Sequence, residues 1–319
     1  MNVSWPVWVL FAVVVLAMLA VDLGVASRGK GVEPASVRSA ALWSGAWISL
    51  AVLFGVALWP LYGSGPAVTY FTAYVLEKSL SIDNVFVFVL VFSQLHTPPT
   101  QQRRVLYWGV LGALLMRGIL IAAGVYLMLR FHWLIYPFAA LVLLAAARIL
   151  FAREKEREVV EAACNVCNSW VARILPITPV LHGGKFLVRQ RGRLVATPLL
   201  IALIVVETTD VVFALDSIPA ALAVTQEPLL LYTSNVFAML GLRSLYFVLA
   251  SALTRLRYLR PGLAVILAFV GGKMLLGSVL EIPSWTSLAV ILVVVGSATV
   301  LSLARAPRAP DVAPLASRR

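Results

Sequence analysis

Charge is scarce in this chain. Of its 319 residues only 13% are Asp, Glu, Lys or Arg, about half the share of an ordinary soluble domain. That shortage, with 61% hydrophobic residues and a mean hydropathy of +0.94, excludes a water-solvated globule. Histidine occurs three times and cysteine twice. His96, His132 and His182 fall at the ends of apolar runs or between them, and neither cysteine falls within one, which disfavours a buried zinc or copper centre. No nucleotide-binding motif is present, so ATP-driven work is not expected. No histidine base or nucleophile motif lies near the middle of an apolar run, which speaks against an intramembrane hydrolase; an enzyme is not expected.

What is abundant is long apolar sequence. Runs near 5–23, 39–60, 67–93, 105–129, 132–151, 197–224, 229–250, 261–280 and 285–303 are each about the 18–25 residues that cross a bilayer as a helix. They are too long and too uniformly apolar for barrel strands. The expectation is an all-α polytopic membrane protein of about nine transmembrane helices, one domain over 1–304, with a basic, disordered tail at 305–319.

The net charge of +12 does not point to nucleic acid, because its placement alternates. Lys and Arg crowd 24–38, 94–104, 152–196, 251–260 and the tail, whereas 61–66, 225–228 and 281–284 contain neither. The positive-inside rule then predicts an outside N-terminus and a cytoplasmic C-terminus. The opening MNVSWPVW lacks a positive n-region, so the first run reads as an uncleaved N-out helix. The multi-pass chain belongs in a cell membrane, the inner membrane of a bacterium, with the lipid bilayer as its first partner.

The one large extramembrane segment, 152–196, opens with AREKEREVVEAA, which reads as a charged extension of the fifth helix. GKFLVRQRGRLVATP suggests a small hairpin. Between them lies ACNVCN, with Cys164 and Cys167. One CxxC supplies two of the four ligands of a structural zinc, so an incidental reduced pair is the simpler reading.

Charged landmarks inside the apolar runs recur at nearly one offset. Asp83 and Asp210 are 127 residues apart, Arg117 and Arg243 126, Arg148 and Lys273 125. They map spans three to five onto six to eight. An odd number of helices per unit inverts the second copy, an architecture that places sites at the midplane of secondary transporters. Asp83 and Asp210 are then expected to face one another.

Ionisable groups at membrane depth cost roughly 2.5–3.5 kcal/mol each and mark function by default. Span three carries Glu77, Lys78 and Asp83; span six carries Glu207, Asp210 and Asp216. Helical spacing puts Glu77, Ser81 and Asn84 on one face and makes Glu207 and Asp210 neighbours. Pro219 is expected to kink or unwind 215–219, swinging Asp216 inward. Carboxylates, the amide of Asn84 and the hydroxyls of Ser79, Ser81, Thr208, Thr209 and Ser217 make a hard-oxygen set suited to magnesium, calcium or manganese. The same carboxylates are also suited to relaying protons. Arg117, Arg243, Lys273 and, near the inner end of the first span, Asp22 read as structural or gating charges. Lys78 and Arg148 read as snorkelling or rim residues.

These residues also carry a family resemblance. EKSLSIDNVFVF at 77–88 and VVETTDVVFALDSIPA at 205–220 resemble the two acidic signatures of the TerC family, and TPLL at 197–200, SNVFAMLGLRSLYF at 234–247 and GGKMLLG at 271–277 match as well. The resemblance covers roughly 5–303; ACNVCN and the tail lie outside it. It implies a manganese exporter whose ion meets Glu77, Asp83, Glu207, Asp210 and Asp216, with Asn84 beside them, and no tightly bound cofactor. Manganese, tellurium resistance and the outward direction come from the family alone; the residues themselves leave manganese, calcium and magnesium open. The competing expectation is an assembly or scaffold factor for maturing membrane or secreted proteins, docking through 152–196.

Overall fold

The computed structural model describes residues 5–28, 37–151, 156–190, 192–250, 258–277 and 282–304. The helices are α1 (Trp5–Arg28), α2 (Val37–Tyr62), α3 (Ser64–Gln94), α4 (Pro99–Arg130), α5 (Ile135–Phe151, after a 3-10 turn), α6 (Glu156–Ile174), α7 (Pro198–Val224), α8 (Pro228–Leu240), α9 (Leu242–Ala250), α10 (Leu259–Leu276) and α11 (Ser284–Ala304). Proline opens α4, α7 and α8, where its missing N–H costs nothing and its fixed φ suits the first turn. The fold is that of a helical polytopic membrane protein. Among the described residues six helical segments are long and apolar enough to cross a membrane: 38–62, 99–130, 132–151, 198–224, 259–276 and 284–302. The other three expected runs correspond to α1, to α3 with its three charged residues, and to the α8–α9 pair.

Large apolar side chains cover the outside. Leu53, Leu115, Leu144 and Val293 are each more than 60% exposed, apolar surface of the kind a lipid bilayer covers. The interior is sealed by small residues. A methyl group on Gly109 of α4 would crowd Val206 of α7, and one on Gly118 would crowd Tyr232 of α8. Such contacts let membrane helices approach closely enough for dispersion forces to hold them together.

Two expectations about helix breaks are corrected. α7 stays helical through Pro219, so of the kink or unwinding expected at 215–219 the unwinding does not occur. The break lies in the next expected span, 229–250, which divides at Gly241 into α8 and α9. Lys78 of α3 donates to the Ala238 carbonyl at 3.0 Å, one of the acceptors at the end of α8 that has no following helical N–H.

Segment 152–196 folds back on the bundle. α6 packs on α3 and α7 and carries Cys164 and Cys167, both buried free thiols. The expected continuation of the fifth helix runs across 152–155, which lie outside the described residues; helix is described up to Phe151 in α5 and again from Glu156 in α6. The expected hairpin is present as β1 (Leu187–Gln190) and β2 (Arg193–Ala196), antiparallel with Gln190 opposite Arg193. Gly192 takes φ +81° at the turn, a conformation glycine adopts freely. The tail expected at 305–319 lies outside the described residues.

Candidate functional site

The acidic signatures meet around a single arginine. α3 presents Glu77 and Asn84 seven residues apart, two turns along one helical face. α7 presents Asp210 and Ser217 with the same spacing. Arg117 of α4 lies between them. Its Nη1 donates to Glu77 Oε2 at 3.0 Å and to Ser217 Oγ at 3.3 Å. Its Nε donates to Asp210 Oδ2 at 3.1 Å and its Nη2 to Asp210 Oδ1 at 3.3 Å. Asn84 Nδ2 donates to that same Oδ1 at 3.3 Å. All five side chains are 2–3% exposed.

Not every valence is used. Among the described residues Glu77 Oε1 is buried with no hydrogen-bond partner, as is Nδ2 of Asn235 on α8. The Asn235 amide also interacts with the Glu77 carboxyl. Asn235 was not singled out in the sequence; the signal was a polar amide inside an apolar run, in SNVFAML.

Glu207 is half-buried and packs on Gly112 of α4, where a methyl group would overlap its carboxylate. Asp216 is half-buried and lines a cavity with Asn84, Arg117 and Ser217. The side chains of Asp83 and Asp22 lie outside the described residues, so the facing of Asp83 and Asp210 does too. Lys273 donates to Ser287 of α11 at 2.8 Å. Arg243 lies half-buried in the first turn of α9. Ser79, Ser81, Thr208 and Thr209 donate to carbonyls of their own helices, which commits their protons and leaves only oxygen lone pairs. Among the described residues no three His, Cys, Asp or Glu side chains cluster as a metal-binding group.

The cavity has a volume of about 870 Å³ and is lined from α3, α4, α5, α6, α7, α10 and α11. Arg148 and Arg260 also line it, the latter 3.8 Å above the ring of Phe86. Val160 and Ala163 of α6 form part of its wall. Arg117, Asn84 and Ser217 are therefore both core residues and cavity lining.

Known proteins share this sequence across nearly its whole length. "Uncharacterized membrane protein STKORF319" of Myxococcus xanthus is 45% identical over 303 residues, covering 95% of this chain and 93% of its own. "Putative membrane-bound redox modulator Alx" of Salmonella typhi is 43% identical over 292 residues, 89% of each chain. Its namesake in Escherichia coli K12 is 42% identical over 292 residues, 89% of this chain and 90% of its own. No solved structure matches. Residues 62–309 match the model of the integral membrane protein TerC family; the chain belongs to the TerC family.

Proposed function

We propose that this protein is a secondary transporter that exports a hard divalent cation, manganese foremost, from the bacterial cytoplasm across the inner membrane. The observation that carries the reading is the buried guanidinium of Arg117, held between carboxylates of α3 and α7 at the wall of a cavity. A site that already holds positive charge at membrane depth has the electrostatics to hold a cation there. In transport the ion enters the cavity, takes the place of the guanidinium between Glu77 and Asp210, and gains Asn84 and the carboxylates of Asp83, Glu207 and Asp216 as α3 and α7 adjust. Arg117 retracts toward the cavity and returns when the ion leaves.

The architecture in this reading is nine spans, N-out and C-in, with α3–α5 and α7–α10 as inverted units. Reciprocal packing supports it: α3 packs on α8 as α7 packs on α4, and α5 pairs with α10. Under this orientation the ends of α5 and α10 that carry Arg148 and Arg260 lie at the cytoplasmic side, so the cavity faces inward.

The name of the Alx relatives favours a second reading, redox work at Cys164 and Cys167. Burial pushes the Cys164 thiol up to about 11, away from the thiolate that such chemistry needs. Transport is therefore the stronger reading.

The test is manganese flux in proteoliposomes, with calcium as competitor. Selective flux in the native protein, lost in Asp83→Asn and in Asp210→Asn while both variants remain folded, is expected. Unchanged flux in both variants, or none in the native protein under proton gradients of either sign, would overturn the proposal.

A further inference from the structure

α6 has three longitudinal faces. Val160, Cys164, Cys167 and Val171 are buried, at spacings of four, three and four residues, and form the stripe that packs on the bundle. Val166, Trp170 and Ile174, each four residues after the last, form a second stripe that is 57%, 65% and 75% exposed. At 100° per residue this second stripe lies about a quarter-turn round the helix from the first. Exposed Asn165, Asn168, Ser169 and Ala172 take the remaining side, and exposed Arg173 borders the apolar stripe.

Two placements say what covers the apolar stripe. The segment carrying α6 starts where α5 ends and stops where α7 begins, and both are of membrane-crossing length, so α6 is tethered at each end to one membrane face. The charge beyond its first turns is also of one sign. No acidic residue occurs between Glu161 and Glu207, while Arg173, Lys185, Arg189 and Arg193 are all exposed. A helix with one side on the bundle, an adjoining apolar side that includes a tryptophan, and a basic border has the design of an interfacial helix.

We propose that α6 lies along the membrane surface with Val166, Trp170 and Ile174 inserted among the headgroups of anionic lipids, whose phosphates Arg173 and the basic hairpin engage. The inference does not depend on the transport reading.

Spin labels placed singly at 165, 166, 169, 170 and 174, in a Cys164→Ala/Cys167→Ala background of the full chain in phosphatidylglycerol nanodiscs, test it by collision with oxygen and with a water-soluble nickel chelate. Labels at 166, 170 and 174 are expected to meet oxygen preferentially, and labels at 165 and 169 the nickel chelate. Nickel access equal at all five positions, or shielding of 166, 170 and 174 from both reagents by a protein partner or a second copy, would overturn the proposal. Hydrogen exchange of the unsubstituted protein gives an independent arm should the cysteine-free background not fold. Amides of α6 are expected to exchange about fivefold more slowly in phosphatidylglycerol than in phosphatidylcholine, the effect of one basic side chain at an anionic surface. Equal rates in the two lipids would count against anionic lipid as the occupant.

Discussion

Arg117 grips Asp210 through two nitrogens, Nε on Oδ2 and Nη2 on Oδ1, with both residues almost wholly enclosed. This fork geometry is available to arginine and not to lysine. Removing Arg117 leaves the Asp210 and Glu77 carboxylates buried and uncompensated, at a cost of about 3–5 kcal/mol. Arg117→Gln is expected to destabilise the protein by that order, and Asp210→Asn by less, because Glu77 still pairs with the guanidinium. The double variant is expected to lose less than the sum, because one of the stranded charges is gone. Thermal melting of the four proteins in detergent measures this, and additive losses would contradict the pairing.

Gly112 is the seat of Glu207. Gly112→Ala is expected to displace the Glu207 carboxylate, since the added methyl overlaps it, and on the transport reading to cut manganese flux. Gly45→Ala in α2 meets nothing within 4 Å and serves as the control; there the change is expected to be neutral or to stabilise by up to about 1 kcal/mol. Equal flux in the two variants would remove Glu207 from the ion's route.

Lys78 holds the end of α8. Lys78→Met keeps most of the side-chain volume but leaves the Ala238 carbonyl without its donor, a loss of about 1–3 kcal/mol if the carbonyl stays dry. Thermal melting of Lys78→Met against the native protein measures the loss, and hydrogen exchange of Gly241 and Leu242 reports whether the α8–α9 break has loosened. An unchanged melting temperature would mean that the break is held by packing alone.

The thiols of α6 are expected to be sluggish. Burial raises Cys164 to about 11 and also raises Cys167, whose thiol interacts with Thr208. Because the thiolate is the reacting form, maleimide labelling of the native protein is expected to be slow at pH 7.5 and to accelerate as pH rises toward 11. Labelling of the unfolded chain should be fast across that range. Equally fast labelling of native and unfolded protein at pH 7.5 would revive the redox reading.

Long apolar runs and intramembrane charges were legible in the sequence because they depart so far from what lipid tolerates. The hairpin at 187–196 was legible from its glycine turn. The face shared by Glu77 and Asn84 followed from helical spacing, and on α7 the same seven-residue step, repeated between Asp210 and Ser217, completes the grip on Arg117. Which charge would sit between those faces was not legible, because it depends on how α4 packs on α7, and that is decided by glycines at 109 and 112. The break was sought at Pro219 and occurs at Gly241. A proline within a helix can be accommodated when neighbouring helices enclose it, as they do Pro219, whereas the capture of the Ala238 carbonyl by Lys78 is a tertiary contact that no local pattern announces.

The presence of Arg117 inside the acidic site has an electrical consequence. Counting Glu77, Asp210 and Arg117, the empty site carries one net negative charge, and on the transport reading the site holding a divalent ion carries one net positive charge. Without the arginine the same two states would carry two negative charges and none. A membrane potential of 100 mV acts on each elementary charge with about 2.3 kcal/mol. Within this triad a tethered guanidinium therefore divides the voltage sensitivity evenly between the loaded and the empty state.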